Sequence, residues 1–161
     1  MKKLSLLFLL FLSLNIFTQQ KSDFWEHIKY GGGFTLGFGT QTTIGISPSA
    51  VYDFENGFLL GAGVNYIYSE IGSFSTNVYG ASLISLYNIP KAGMQISGEF
   101  EQSYAKQTNT SGSIKTSFPA LYFGLAYNSG RFAFGFRYDV LYDENRSVYA
   151  SPFSPIVRFY F

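Results

Sequence analysis

Cysteine is absent from this chain, histidine and tryptophan occur once each, and charged residues make up only 13% of its 161 positions. Each shortage excludes something. Without thiols there is no disulfide framework, no thiolate nucleophile, no cysteine metal site and no lipid anchor on an N-terminal Cys. A single imidazole, His27, leaves only scattered carboxylates for metal binding, so no metal and no cofactor is expected. Soluble domains average about 25% charged residues, so a chain this poor in charge is short of side chains for a water-facing surface. Its 11 Lys and Arg against 10 Asp and Glu give a formal net charge of +1. No basic cluster occurs beyond Lys2 and Lys3, so nothing marks a nucleic-acid footprint. Apolar runs are short as well. The apolar core from Leu4 to Phe17 falls below the roughly 18 residues of a membrane-spanning helix.

That stretch has another layout. "MKKLSLLFLLFLSLNIFTQQ" carries Lys2 and Lys3, then the apolar core, then small and polar residues, as a secretory signal peptide does. The expected organisation is a cleavable leader over 1–19, a short N-terminal segment over 20–27, and one domain over 28–161. A single domain suits the length.

The chain is rich in aromatics of the kind strands use, 18 Phe and 13 Tyr, and carries 17 Gly. Alternation of apolar and small or polar residues marks strands whose two faces meet different surroundings. In "RFAFGFRYDV" (131–140) the even positions hold Phe132, Phe134, Phe136, Tyr138 and Val140, while the odd ones hold Ala133, Gly135, Arg137 and Asp139. Seven further segments are expected near 28–39, 42–54, 58–68, 77–89, 94–104, 115–127 and 153–161. The segment at 77–89 is ambiguous, because Val78, Ile84 and Leu86 oppose Tyr79, Leu83 and Tyr87. Tight turns, "ENG", "PKAG" and "NSGR", follow the second, fourth and sixth segments. Longer polar loops, "SEIGSFST", "AKQTNTSGS" and "DENRSVYAS", are expected after the third, fifth and seventh.

The less apolar face is mostly Gly, Ser, Thr, Ala and Asn, which suits a crowded barrel interior better than a solvated exterior. Lys29, Asp53, Glu99, Glu101, Arg137, Asp139 and Arg158 all fall on it. A Lys or Arg facing lipid at midplane costs about 2–4 kcal/mol. Unsatisfied backbone groups in hydrocarbon cost several kcal/mol each, so strands cross a bilayer only as a closed cylinder. The expected fold is therefore an all-β, eight-stranded antiparallel up-and-down transmembrane barrel. Its Tyr residues near strand ends on the apolar face read as girdles at the membrane surfaces.

The strand count, the short–long alternation of connections and the terminal "VRFYF" resemble the small outer-membrane barrels of the OmpA and OmpX type. That resemblance implies a bacterial outer-membrane location, outer-membrane lipid and the barrel assembly machinery as partners, and Phe161 as the assembly signal. "FWEHIKYGGGFTLGFG", "PSAVYDF" and "RYDVLYDENRSVYASPF" are similar to short exported proteins of Bacteroidetes type, some of them labelled alpha-ketoglutarate decarboxylase. Such enzymes need thiamine diphosphate and much longer chains, and no Gly-Asp-Gly signature occurs here.

No catalytic residue is singled out. Glu99, Glu101, Arg137 and Asp139, with Tyr122 between them, are expected to form a polar network filling the lumen. Their other reading is a site for a lipid or a small acid, since paired carboxylates shift one another's protonation. Lys29, Asp53 and Arg158 are expected as a charge latch joining the first and last strands. The glycine run "GGGFTLGFG" lacks the following helix that a phosphate loop needs. Three readings stay open: a non-enzymatic barrel with a plugged lumen, structural or adhesive through its outer loops; a barrel enzyme; and a soluble exported barrel holding an unknown small ligand.

Overall fold

The computed structural model describes residues 23–37, 42–109, 112–144 and 151–161, so the expected leader and its cleavage site lie outside the described residues. A single turn of 3₁₀ helix, Asp23–His27, leads into eight strands: β1 (Ile28–Gly37), β2 (Thr42–Asp53), β3 (Phe58–Ile71), β4 (Phe74–Ile89), β5 (Met94–Asn109), β6 (Gly112–Ser129), β7 (Phe132–Asp139) and β8 (Phe153–Tyr160). Every sequential pair is antiparallel, and β8 returns to β1 to close the barrel. The last bonds of that closure are reciprocal. Tyr30 N–H donates to Phe161 O at 3.1 Å, and Phe161 N–H to Tyr30 O at 2.9 Å. Gly31 is required at this seam, because a Cβ there would stand 1.8 Å from the carbonyl oxygen of Phe159.

The two faces separate as the alternation requires. Phe132, Phe134, Phe136, Tyr138 and Val140 are exposed on the outside, whereas Ala133 and Asp139 are buried inside. The ambiguous fourth strand resolves by burial: Val78, Ile84 and Leu86 point inward, and Tyr79, Leu83 and Tyr87 outward. Both of its faces are apolar because the lumen needs bulk there. Ile84 stands opposite Gly61, and with Val51, Leu59 and Leu86 it forms one internal cluster. Ile67, Val78, Ala105 and Phe118 form another nearer the opposite end of the strands. Between the two clusters many inward residues are small or polar, among them Ser49, Gly63, Asn65, Ser82, Glu99 and Glu101.

The expected long loops after the third and fifth strands are not loops. β3 and β4 pair from Phe58 opposite Tyr87 up to Ile71 opposite Phe74, leaving only Gly72 and Ser73 at the tip. β5 and β6 pair as far as Asn109 opposite Gly112. Their Ser, Thr, Asn and Gln residues give no apolar signal, yet the two strands of each hairpin stay paired with one another almost to the tip. These hairpins rise past a row of three outward tyrosines, Tyr66, Tyr79 and Tyr104, in register across β3, β4 and β5. Glu70, Lys106 and Lys115 are exposed beyond that row. β7 ends at Asp139, earlier than expected, and the connection to Phe153 is longer than the expected loop, with 145–150 outside the described residues.

Candidate functional site

Strand parity brings the inward charges of β5, β7 and β8 to one level of the lumen, and Glu99 is their centre. Its side chain is almost wholly buried. One carboxylate oxygen accepts Arg137 Nη1 at 3.1 Å; the other accepts Arg158 Nη2, and the Ser97 hydroxyl donates to it at 3.3 Å. Two guanidinium groups thus converge on one carboxylate. Arg137 also lies over the Tyr122 ring, 3.9 Å from its centroid, a desolvated cation–π contact worth about 2 kcal/mol. Arg158 further donates to Gln95 Oε1 at 3.4 Å. Gln95 and Asn128 in turn donate to Asn88 Oδ1 at 2.8 and 2.7 Å. These amides line an open vestibule of about 480 Å³ at the end of the barrel carrying the tight turns.

The other two expected members sit apart from this triad. Asp139 is buried but accepts the backbone N–H groups of Leu121 and Leu141, each at 3.0 Å, and so caps the end of β7. Glu101, also buried, accepts the Ser103 hydroxyl at 2.6 Å and has no cation at ion-pair distance among the described residues. The expected latch is corrected too. Lys29 pairs with Asp53 across β1 and β2, but Arg158 is not with them. Its register partner on β1 is Gly33, four residues from Lys29 and about 13 Å along the strand. Backbone bonds, not charges, close the seam at that end.

Asn65 and Gln95 belong to this interior and were not singled out from the sequence. Their only sequence signal is inward parity. Asn65 is 9% exposed, and its Oδ1 is a buried side-chain oxygen with no hydrogen-bond partner. It lines a central cavity of about 60 Å³ together with Ser47, Ser49, Ser82, Glu99 and Glu101. A space of that size holds about four waters. No group of three or more His, Asp or Glu among the described residues is placed to hold a metal.

No protein-family model, curated protein or solved structure matches this chain. The site's own geometry therefore carries the functional reading. Two guanidinium groups and a hydroxyl hold the Glu99 carboxylate in one position.

His27, at the tight-turn end, joins a different set of contacts. Nδ1 lies 2.7 Å from Asp23 O, and Nε2 lies 3.2 Å from a Glu55 carboxylate oxygen. The Asp23 carbonyl, above all, raises its pKa over the usual 6.5, against some opposition from burial, and the Glu55 and Asp23 carboxylates add to the rise. The ring stacks on Tyr52, as does Phe24, so the 3₁₀ turn is docked on the barrel wall by aromatic contacts.

Proposed function

We propose that this chain is a bacterial outer-membrane β-barrel protein, non-enzymatic, with a side-chain-plugged lumen and a structural or surface-interaction role. The observation that carries the reading is the outer face of the closed barrel. Tyr30, Phe34, Leu60, Val64, Leu83, Ile96, Phe100, Phe123, Leu125, Phe134, Phe136 and Val157 are all exposed there, spread over seven of the eight strands. Monomers in water rarely expose contiguous apolar patches above a few hundred Å². From Phe58 to Tyr68 on β3 the outward positions span about 34 Å of strand. Tilted as in such barrels, that matches an apolar band about 25 Å tall.

The tight turns then face the periplasm, and the β3–β4 and β5–β6 hairpins project outward. Ile71, Phe74 and Ile114, exposed on those hairpins, are apolar contact points for a partner. Outer-membrane lipid surrounds the wall. The barrel assembly machinery reads the C-terminal strand, whose last residue, Phe161, presents an exposed ring beside Phe159. The eight-stranded interior, filled by two apolar clusters and the Glu99 triad, supports a plug over a channel.

Expression of the full chain, separation of inner and outer membranes, and gel mobility with and without boiling test this reading. The expected result is outer-membrane recovery and a mobility that changes on boiling. Recovery without detergent in the soluble fraction, with equal mobility, would favour a soluble exported barrel instead.

A further inference from the structure

The end of the barrel that carries the tight turns is hollow, and one constraint orders the hydrogen bonds inside it. Arginine has donors and no acceptor, so the bond from Arg158 to Gln95 must end on Gln95 Oε1. That turns Gln95 Nε2 toward Asn88, which can receive it only through Oδ1. Asn128 meets the same oxygen and so must present its Nδ2. All three amides are thereby oriented, and the chain of bonds ends on Asn88. Its Oδ1 takes two bonds, while its own NH₂ group makes none among the described residues. Asn128 Oδ1 is likewise unbonded there.

These groups line the open vestibule of about 480 Å³, a volume in the range of small-molecule sites, about 300–1,000 Å³. Lys29, Arg131 and Arg158 line it as well, and among the described residues no acidic side chain does. Lys29 and Arg158 are matched by Asp53 and Glu99, which lie outside the lining. Arg131 is different. Exposed at the rim, it has the Phe161 ring 5.9 Å from its guanidinium carbon and no carboxylate at ion-pair distance among the described residues. Asn128 and Arg131 bracket one tight turn, so the unmatched cation stands beside the amide cluster. A guanidinium fork and an amide NH₂ are donors suited to a carboxylate. One unmatched cation answers one negative charge, and a second, as on a phosphate monoester, would be left without a partner.

We infer that the vestibule is a binding site for a small monocarboxylate that also carries an N–H or O–H. Arg131 and the Asn88 NH₂ group donate to its carboxylate, and Asn128 Oδ1 accepts its proton-bearing group. Leu59 and Ala133 supply apolar contact for the remainder. This site does not depend on what wets the wall, because the vestibule opens at the end of the barrel; with the wall in the outer membrane, it opens to the periplasm.

The test titrates N-acetylalanine, its uncharged analogue N-acetylalaninamide, and ethyl phosphate into the full chain in an uncharged maltoside detergent, with the side-chain NH₂ signals of Asn88 and Asn128 followed by NMR. N-acetylalanine is expected to move both signals saturably and the uncharged analogue to move neither. Ethyl phosphate is expected to bind more weakly than the acid. Arg131→Gln is expected to weaken binding of the acid by about tenfold, the loss of one charge-assisted contact. Asn88→Asp keeps the acceptor that Gln95 and Asn128 need but sets a negative charge against the ligand, and is expected to abolish binding read at Asn128. Lys91→Gln removes a turn cation outside the lining and is expected to change nothing. Backbone amide spectra matching the parent's establish that each variant is folded. No saturable shift with N-acetylalanine, equal binding of the acid and its uncharged analogue, tighter binding of ethyl phosphate, or undiminished binding to folded Arg131→Gln would each overturn the inference.

Discussion

At the scale of single residues, Glu99 decides whether the interior holds together. It is the shared counter-charge of Arg137 and Arg158, both largely removed from water. Deleting one partner of a buried ion pair leaves an uncompensated charge and costs about 3–5 kcal/mol. Glu99→Gln strands two guanidinium groups and is expected to destabilise the barrel by that amount in urea titrations of the protein in lipid vesicles. Glu101→Gln, which parts from no cation and keeps its Ser103 contact, is expected to cost under about 1 kcal/mol. Equal losses for the two would contradict the assignment of Glu99 as the hub. The inward parity of these residues was legible in the sequence, because a period of two admits no other placement once the apolar face is chosen. Their pairing was not. Which charges meet depends on the register with which β8 closes on β1, and that register puts Arg158 at Gly33 rather than beside Lys29.

At the scale of elements, alternation located all eight strands but not their lengths. Residues such as Ser75, Thr76, Gln107, Thr108 and Ser113 are polar on both faces, so periodicity fades where the hairpins leave the apolar belt. Backbone pairing continues regardless, since it depends on neighbours rather than on side-chain contrast. The fourth strand was ambiguous for the opposite reason, with apolar residues on both faces. The short 3₁₀ turn gave no period at all, and its docking rests on aromatic stacking and on His27 between Asp23 and Glu55. Because the folded state raises the His27 pKa, the docked turn favours the imidazolium. Its contribution is present in full below the unfolded value, near 6.5, and is lost as pH rises through the higher folded value. An NMR titration of His27 is expected to give a midpoint above 6.5, which Glu55→Gln moves back down. A midpoint below 6.5 would show that the turn is not docked this way.

At the scale of the whole molecule, one asymmetry organises everything else. Most rings and branched chains of the described strands face outward, and Glu99, Glu101, Arg137, Asp139 and Arg158 face inward. An eight-stranded barrel has an interior wide enough only for side chains, so the outer surface must meet whatever the apolar residues prefer. In water the belt would be a large aggregation hazard. In lipid it would instead be a source of stability, with the ladders of the closed barrel pairing backbone groups that hydrocarbon would leave unsatisfied.

The measurement that bears most directly on this asymmetry uses the absence of cysteine, since each introduced thiol is unique. Nitroxide labels at Leu83, Phe123 and Phe136, which are 63%, 56% and 68% exposed, are compared with labels at Lys91, in a tight turn, and Ser129, the exposed last residue of β6, in the chain reconstituted into vesicles. The three belt labels are expected to collide readily with molecular oxygen and to be shielded from a water-soluble nickel chelate, with the labels at Lys91 and Ser129 reversed. Free access of the chelate to all three belt positions would contradict the account.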